Sequence, residues 1–298
     1  MTIKLMFLGT SGAVPSAKRN HTAVLLNYKG ENILVDCGEG TQRQFRKARL
    51  NPCKVTRLLI THWHGDHVLG IPGLLQTLAF SGYNKRLIIY GPKGTKKFMK
   101  RLLETFAFRG NISFEIKEVS GKFFETDEFY LEAEKMTHGI PCNAYVFVKK
   151  GQRRIDKKKL EKSKLPKGPL LKKLKKGKYI IYQGKKYLAK NLTYLQDSKK
   201  ISFVFDTSYN KKIIPFVRNS DLFVCESTYD SEFEEIAGEY KHLTARQVAE
   251  IAKKSKSRKL ILTHISQRYE KDSKKILEEA KKIFKNSYLV KDLDKFEV

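Results

Sequence analysis

Apolar residues along this chain come in short bursts, most of them ended abruptly by a glycine, a histidine or a carboxylate. Bursts of strand length bounded by turn residues predict strands over residues 3–8, 21–26, 33–35, 58–60, 87–90, 112–119 and 129–133. The same pattern returns over 201–205, 222–225 and 260–263. The first burst runs straight into Gly9-Thr10-Ser11-Gly12, and Lys29-Gly30 separates the second from the third. Residues 1–8 therefore read as a first strand, too short for a signal peptide. Helical spacing appears around 42–46 and over 73–80, where Leu74, Leu75, Leu78 and Ala79 share a core-facing side. Residues 96–108 predict a basic amphipathic helix and 272–284 the last helix. Thr244 with Gln247 forms a capping box, with Leu243 and Val248 placed as a staple, so His242 sits just outside a helix start. Strands interleaved with helices make this an α/β chain.

Length and composition allow a large core: 298 residues, 41% hydrophobic, in one big domain or two small ones. No apolar run approaches the ~18 residues that span a membrane. The four cysteines (Cys37, Cys53, Cys142, Cys225) are far apart and form no C-x-x-C pair; they neither propose a thiolate zinc site nor look like a disulfide framework, and they fit a reducing cytoplasm. Charge changes the picture more. The net charge of +29 points to a polyanionic partner, a nucleic acid or an anionic membrane. It is also localised. Residues 149–190 carry 18 Lys and Arg against two acids, Asp156 and Glu161. Leu165, Leu170, Leu171, Leu174, Ile180 and Ile181 lie among them, so the segment predicts a basic arm projecting from the main body, not a polar tail or a second domain.

The chemistry concentrates directly after the strand at 58–60. His62, His64, Asp66 and His67 fall within six residues and include three of the chain's seven histidines. Imidazole nitrogens with carboxylate oxygens suit zinc, with manganese or iron as substitutes. His138, Asp206, Glu226 and His264 also sit just past apolar runs, and ligands in open α/β sheets gather beyond the carboxyl ends of strands. Leu58-Leu59-Ile60-Thr61-His62 and Leu260-Ile261-Leu262-Thr263-His264 are nearly the same five residues, which places two histidines at equivalent strand ends. The set supplies seven metal ligands and one spare carboxylate. His62, His64 and His138 would hold one ion, Asp66, His67 and His264 the other, with Asp206 bridging. Two such ions suit in-line displacement at a phosphodiester, with Asp66 orienting or deprotonating the water.

The spacing His-x-His-x-Asp-His resembles the signature of the metallo-β-lactamase superfamily, which implies a four-layer αβ/βα sandwich with metals at the shared edge of its two sheets. Four longer blocks narrow the resemblance: 36–44, 62–75, His138-Gly139-Ile140-Pro141 and His264-Ile265-Ser266-Gln267-Arg268-Tyr269 look like the ribonuclease Z family of tRNA 3′-processing endonucleases. The likeness runs from about residue 5 to 269 and is to the short form. It implies a zinc-dependent endoribonuclease that removes the 3′ trailer of precursor tRNA, leaving a 3′-hydroxyl on the tRNA and a 5′-phosphate on the trailer. It implies two zinc ions per chain held by the seven ligands, a homodimer, and a Glu226–His242 pair delivering a proton to the leaving oxygen.

The same resemblance makes residues 150–190 a tRNA-gripping insertion in a single domain of residues 1–298, with Gly168, Pro169, Lys172, Lys173, Lys175, Lys176 and Gly177 as its contacts. The loop 15–20, with Arg19, is similar to the family's loop near the acceptor end. The chain departs from the family's usual residues at Phe205, Cys225 and Leu243, and its loop lysine is Lys18, one place late. Two rivals are a small-molecule phosphodiesterase on the same scaffold and a nucleic-acid-binding module that lost catalysis.

Overall fold

β1 (Lys4–Gly9), β2 (Ala23–Tyr28) and β3 (Glu31–Val35) form an antiparallel meander, with Lys29 and Gly30 both at positive φ between the last two. β4 (Arg57–Leu59), β5 (Leu87–Gly91) and β6 (Phe114–Glu118) then add in parallel. Parallel neighbours need crossovers. These are α1 (Thr41–Lys47), α2 (Gly65–Val68) with α3 (Ile71–Phe80), and α4 (Thr95–Thr105). Pro72 sits in the first turn of α3, where its missing N–H is no loss, and the helix starts two residues earlier than the apolar spacing suggests. Met6, Leu8, Leu25, Leu34 and Leu58 alternate onto the face that packs Phe45, Leu74, Leu75 and Leu78. This computed structural model describes residues 2–107 and 112–298, so Met1 of the first expected strand and Phe108 of the expected basic helix lie outside the described residues.

β7 (Gly121–Glu125), β8 (Phe129–Met136) and β9 (Cys142–Lys149) begin a second sheet. The sequence pattern missed β7 and β9. β9 is buried at every position, so it has no polar alternation to betray it. Contacts divide the chain into two compact units, and the second takes Phe124–Tyr130 and Val148–Lys199, wider than the expected 150–190.

Within that second unit β10 (Gln152–Ile155) leads to α5 (Lys157–Lys162), capped by the Asp156 carboxylate on the Lys159 N–H at 3.1 Å. After α6 (Leu171–Lys175), β11 (Ile180–Tyr182) and β12 (Lys185–Tyr187) form a hairpin around Gln183 and Gly184, both at positive φ. α7 (Ala189–Leu192) then leads into β13 (Thr193–Gln196), which pairs antiparallel with β10. Leu160, Leu165, Leu174, Ile180, Ala189 and Leu192 are buried together, with Tyr182 and Tyr187 against them. The basic segment therefore has its own small core.

The first unit resumes with β14 (Lys199–Val204), β15 (Leu222–Glu226), β16 (Leu260–Thr263) and β17 (Ser287–Leu289), mutually parallel. α8 (Ile213–Phe216), α9 (Glu234–Glu239), α10 (Ala245–Lys254) and α11 (Lys274–Ile283) connect them. The second sheet has the order β17-β16-β15-β14-β9-β8-β7, while β18 (Lys295–Glu297) returns to pair with β1 and extend the first. Residues of α10 and α11 cover Phe223, Cys225, Leu260 and Leu262 on one face of the second sheet. The other face meets the first sheet: Tyr28 packs on Phe147 at 5.6 Å, and the Tyr145 hydroxyl donates to the Ile60 carbonyl at 2.7 Å. Helix, sheet, sheet and helix give the four layers of an α/β sandwich.

Candidate metal centre

Strands of both sheets end at one cluster. β4 hands over to Thr61-His62, β8 to His138, β14 to Asp206, β15 ends in Glu226, and β16 hands over to His264. Asp36, Asp206 and His264 all take positive φ (58°, 41° and 59°), a conformation rarely adopted without glycine. That turn re-aims each side chain where straight strand alternation would not, and such residues cluster at functional sites. The loop carrying Asp66 and His67 is locked by two glycines. A Cβ on Gly38 would lie 2.4 Å from the Asp66 carbonyl oxygen, and one on Gly70 2.0 Å from the Gly38 carbonyl oxygen.

The side chains gather in two sets that share Asp206. In one, His62 Nε2 and His138 Nε2 lie 3.0 and 3.1 Å from His64 Nδ1, and His62 Nε2 is 3.5 Å from Asp206 Oδ2. In the other, His67 Nε2 and His264 Nε2 are 3.2 Å apart, each 3.3 Å from Asp66 Oδ2, and 3.4 and 3.1 Å from Asp206 Oδ1. Bonds of about 2.0–2.1 Å in tetrahedral geometry space neighbouring ligand atoms about 3.3–3.4 Å apart. His64 is exposed, and it marks the open side.

Hydrogen bonds around the cluster settle which nitrogens face inward. His67 Nδ1 donates to Asp36 Oδ2 at 2.7 Å. The Thr61 hydroxyl donates to the same oxygen at 2.7 Å, so its Oγ1 accepts from His62 Nδ1 at 3.1 Å. His138 Nδ1 donates to the Lys241 carbonyl at 3.2 Å. Each of these rings keeps its Nε2 lone pair for the centre. Asp206 Oδ1 is buried there without a hydrogen-bond donor among the described residues. Lone pairs and an anionic oxygen converging in a buried space need a cation between them, and these donors fit a divalent metal. Burial disfavours charge on His67, yet Asp66, Asp206 and Asp36 together push its pKa well up. The negative potential that would hold a proton holds a divalent cation more strongly.

Beside this centre, His242 Nδ1 lies 2.9 Å from Glu226 Oε2 and 4.0 Å from Asp206 Oδ2. Its helix begins as expected, with Thr244 and Gln247 bonded reciprocally in a capping box. Burial opposes the imidazolium, but Glu226 and Asp206 outweigh it and push the His242 pKa up to about 9. Glu226 is itself fully buried, accepting the Thr207 N–H on Oε1 at 2.7 Å and the Thr228 hydroxyl on Oε2 at 2.6 Å.

The remaining expected residues divide. Gly168, Pro169, Lys172, Lys173, Lys175, Lys176 and Gly177 are all exposed around α6, while Leu174 between them is buried. Arg19 turns inward instead. It is 8% exposed, and Nη1 donates to Thr10 Oγ1 and the Val290 carbonyl, which braces the fold; Lys18 is the exposed cation of that loop. Asp36, Thr61, Thr207 and Thr228 were not assigned roles by sequence reasoning. Asp36 follows the apolar run 33–35 just as Asp206 follows 201–205, so the signal existed. The threonines carry no signal, since each also bonds a partner distant in sequence: Thr61 to Asp36, Thr207 to Thr137 and Thr228 to His264.

A profile for the family described as Anti-Pycsar protein Apyc1 matches residues 3–135. The chain is 26% identical to the crystal structure of human tRNase Z, short form, with a TM-score of 0.72 over 98% of both chains. It has the fold of the metallo-β-lactamase fold protein YhfI from Bacillus subtilis, with a TM-score of 0.73 at 18% identity over the full length of both. Among curated relatives, "Ribonuclease Z" of Oceanobacillus iheyensis is 38% identical over 99% of this chain and 100% of its own length. That identity is sustained along the whole chain, and the chain belongs to the ribonuclease Z family.

Proposed function

We propose that this protein is a zinc-dependent endoribonuclease that removes the 3′ trailer of precursor tRNA, leaving a 3′-hydroxyl on the tRNA and a 5′-phosphate on the trailer. The observation that carries this reading is the sharing of Asp206 between two ligand sets, with the Glu226–His242 pair alongside. His62, His64 and His138 would hold one zinc ion and Asp66, His67 and His264 the other, with Asp206 to both. When bound, such ions stabilise charge on the scissile phosphate and bring the pKa of water toward about 7. Asp66 is placed to orient the attacking water. His242, kept protonated by Glu226, gives its Nε2 proton to the departing O3′ of the tRNA as the P–O3′ bond breaks.

The arm supports a large polyanionic substrate. Its exposed lysines suit backbone phosphates, which position RNA without reading its sequence. Tyr182 and Tyr187 are spent on the arm's own core, which leaves Tyr179, 52% exposed with Lys186 Nζ 4.2 Å from its ring centroid, as the arm tyrosine of the three available for stacking. The family reading also carries a homodimer working in the cytoplasm. Free thiols at all four cysteines agree with that compartment, and no helix among the described residues is long and apolar enough to cross a membrane. Light scattering tests the dimer, and a monomer mass removes it.

The deciding experiment is cleavage of a 3′-extended precursor tRNA with and without chelator, the cut mapped to the nucleotide. One metal-dependent cut beside the discriminator, absent in Asp206→Ala, is the expected result. No cut, with metal-dependent turnover of a small phosphodiester, would keep the centre and overturn the tRNA assignment.

A further inference from the structure

Thr228 stands outside both the ligand set and the shuttle pair, yet its hydroxyl touches all of them that lie on this side of the site. Oγ1 is 2.6 Å from Glu226 Oε2, 3.0 Å from His264 Nδ1 and 3.4 Å from His242 Nδ1. It is 5% exposed.

Counting protons gives the direction of each bond. Two oxygens at 2.6 Å need a proton between them, and Glu226 already accepts from the Thr207 N–H and His242 Nδ1 as a carboxylate does. The threonine therefore donates to Glu226. A hydroxyl has one proton, so toward His264 the same Oγ1 can only accept, and His264 Nδ1 must carry hydrogen. That leaves His264 Nε2 bare, 3.3 Å from Asp66 Oδ2 and 3.1 Å from Asp206 Oδ1. The reverse order would place hydrogen on Nε2 and close the ring to a metal. The same count puts hydrogen on His242 Nδ1 and leaves its transferable proton on Nε2.

A second copy of this arrangement exists in the other half of the molecule. There the Thr61 hydroxyl donates to Asp36 Oδ2, which also takes His67 Nδ1, and Thr61 Oγ1 accepts from His62 Nδ1. Thr263, the residue that matches Thr61 in the repeated Leu-x-x-Thr-His segments, does not play the part, and its buried Oγ1 has no hydrogen-bond partner among the described residues. Thr228, from just past the neighbouring strand, has taken its place.

We propose that Thr228 is a positioning residue whose hydroxyl ties the metal-facing histidine His264 to the Glu226–His242 proton shuttle, so that one hydrogen-bond chain sets both tautomers. The proposal rests on the metal-dependent endonuclease reading above. Thr228→Val removes the hydroxyl while keeping the shape, and Thr228→Ser restores it.

Two readouts are taken on each variant: zinc affinity of the metal-free protein by competition with a chromophoric chelator, and kcat on precursor tRNA at saturating zinc. Second-sphere partners of metal-binding histidines are typically worth 10–100-fold, so Thr228→Val is expected to lose about 10–100-fold in both, with KM little changed and Thr228→Ser close to wild type. Long-range ¹H–¹⁵N spectra of the histidine rings should show His264 protonated at Nδ1 in the wild type and a mixed tautomer in Thr228→Val. Loss in one readout only would overturn the link, as would Ser failing as badly as Val. If the wild type cuts no precursor tRNA but turns over a small phosphodiester, the substrate reading fails while the zinc and tautomer readouts still decide the role of Thr228.

Discussion

The two carboxylate–threonine–histidine clusters are built alike but expose their histidines differently. Asp36 and Glu226 are both fully buried, each bonded to one threonine hydroxyl and one imidazole Nδ1, with a second imidazole on the threonine. In the Asp36 cluster both rings, His62 and His67, are fully buried and turn Nε2 to the centre. In the Glu226 cluster only His264 does so, while the His242 side chain keeps 12% of its surface. A histidine sealed against the centre has no path to substrate, which suits a metal ligand. One that keeps an edge in the cleft can pass a proton to substrate. Between these two clusters the difference lies in accessibility, not in residue type.

The largest effect should come from the group both halves share. Asp206→Ala is expected to bring zinc content and cleavage to background together, measured by elemental analysis and single-turnover assay, because it opens both ligand sets at once. Retention of full zinc would show that the two sets are independent.

Breaking the carboxylates separately sharpens the contrast. Asp36→Asn loosens His67 and His62 together, so zinc affinity should drop by about 10–100-fold. Glu226→Gln should cost less zinc affinity and lose kcat even at saturating zinc, within the ~10²–10⁴-fold span of general-acid catalysis. The pH profile separates them further. Glu226 helps hold the His242 pKa up at about 9, and a general acid works only below its folded pKa. Removing Glu226 lowers that pKa, so the alkaline fall in kcat should move to lower pH. An unmoved alkaline limb would take His242 out of the acid role. Asp36→Asn should leave that limb where it is.

The smallest effect belongs to the arm. Replacing Lys172, Lys173, Lys175 and Lys176 together by Ala should leave zinc binding intact and weaken precursor binding. Each phosphate contact adds about 0.7–0.9 to the slope of log affinity against log salt, so losing the four should flatten it by about 3–4. An unchanged slope would place the tRNA contacts elsewhere.

Much of this was legible in the chain itself. The strand bursts at 58–60, 201–205, 222–225 and 260–263 are real strands within a residue or two, because buried parallel strands are continuous apolar runs. His62, His64, Asp66 and His67 stood out because four metal-binding side chains crowd one strand end, and His138, Asp206 and His264 because each follows an apolar run. Local spacing determined those things, along with the capping box that fixes where His242 sits. Three things it could not determine. β9 hid because burial on both faces erases alternation, Arg19 looked like a surface cation yet is bonded to Val290 across the chain, and the arm's leucines form a core of their own. Nor could spacing say which nitrogen of each histidine carries hydrogen, or that Thr228 answers Thr61. Those depend on hydrogen bonds between residues up to 103 positions apart, and such partners exist only once the two sheets have brought their strand ends to one edge.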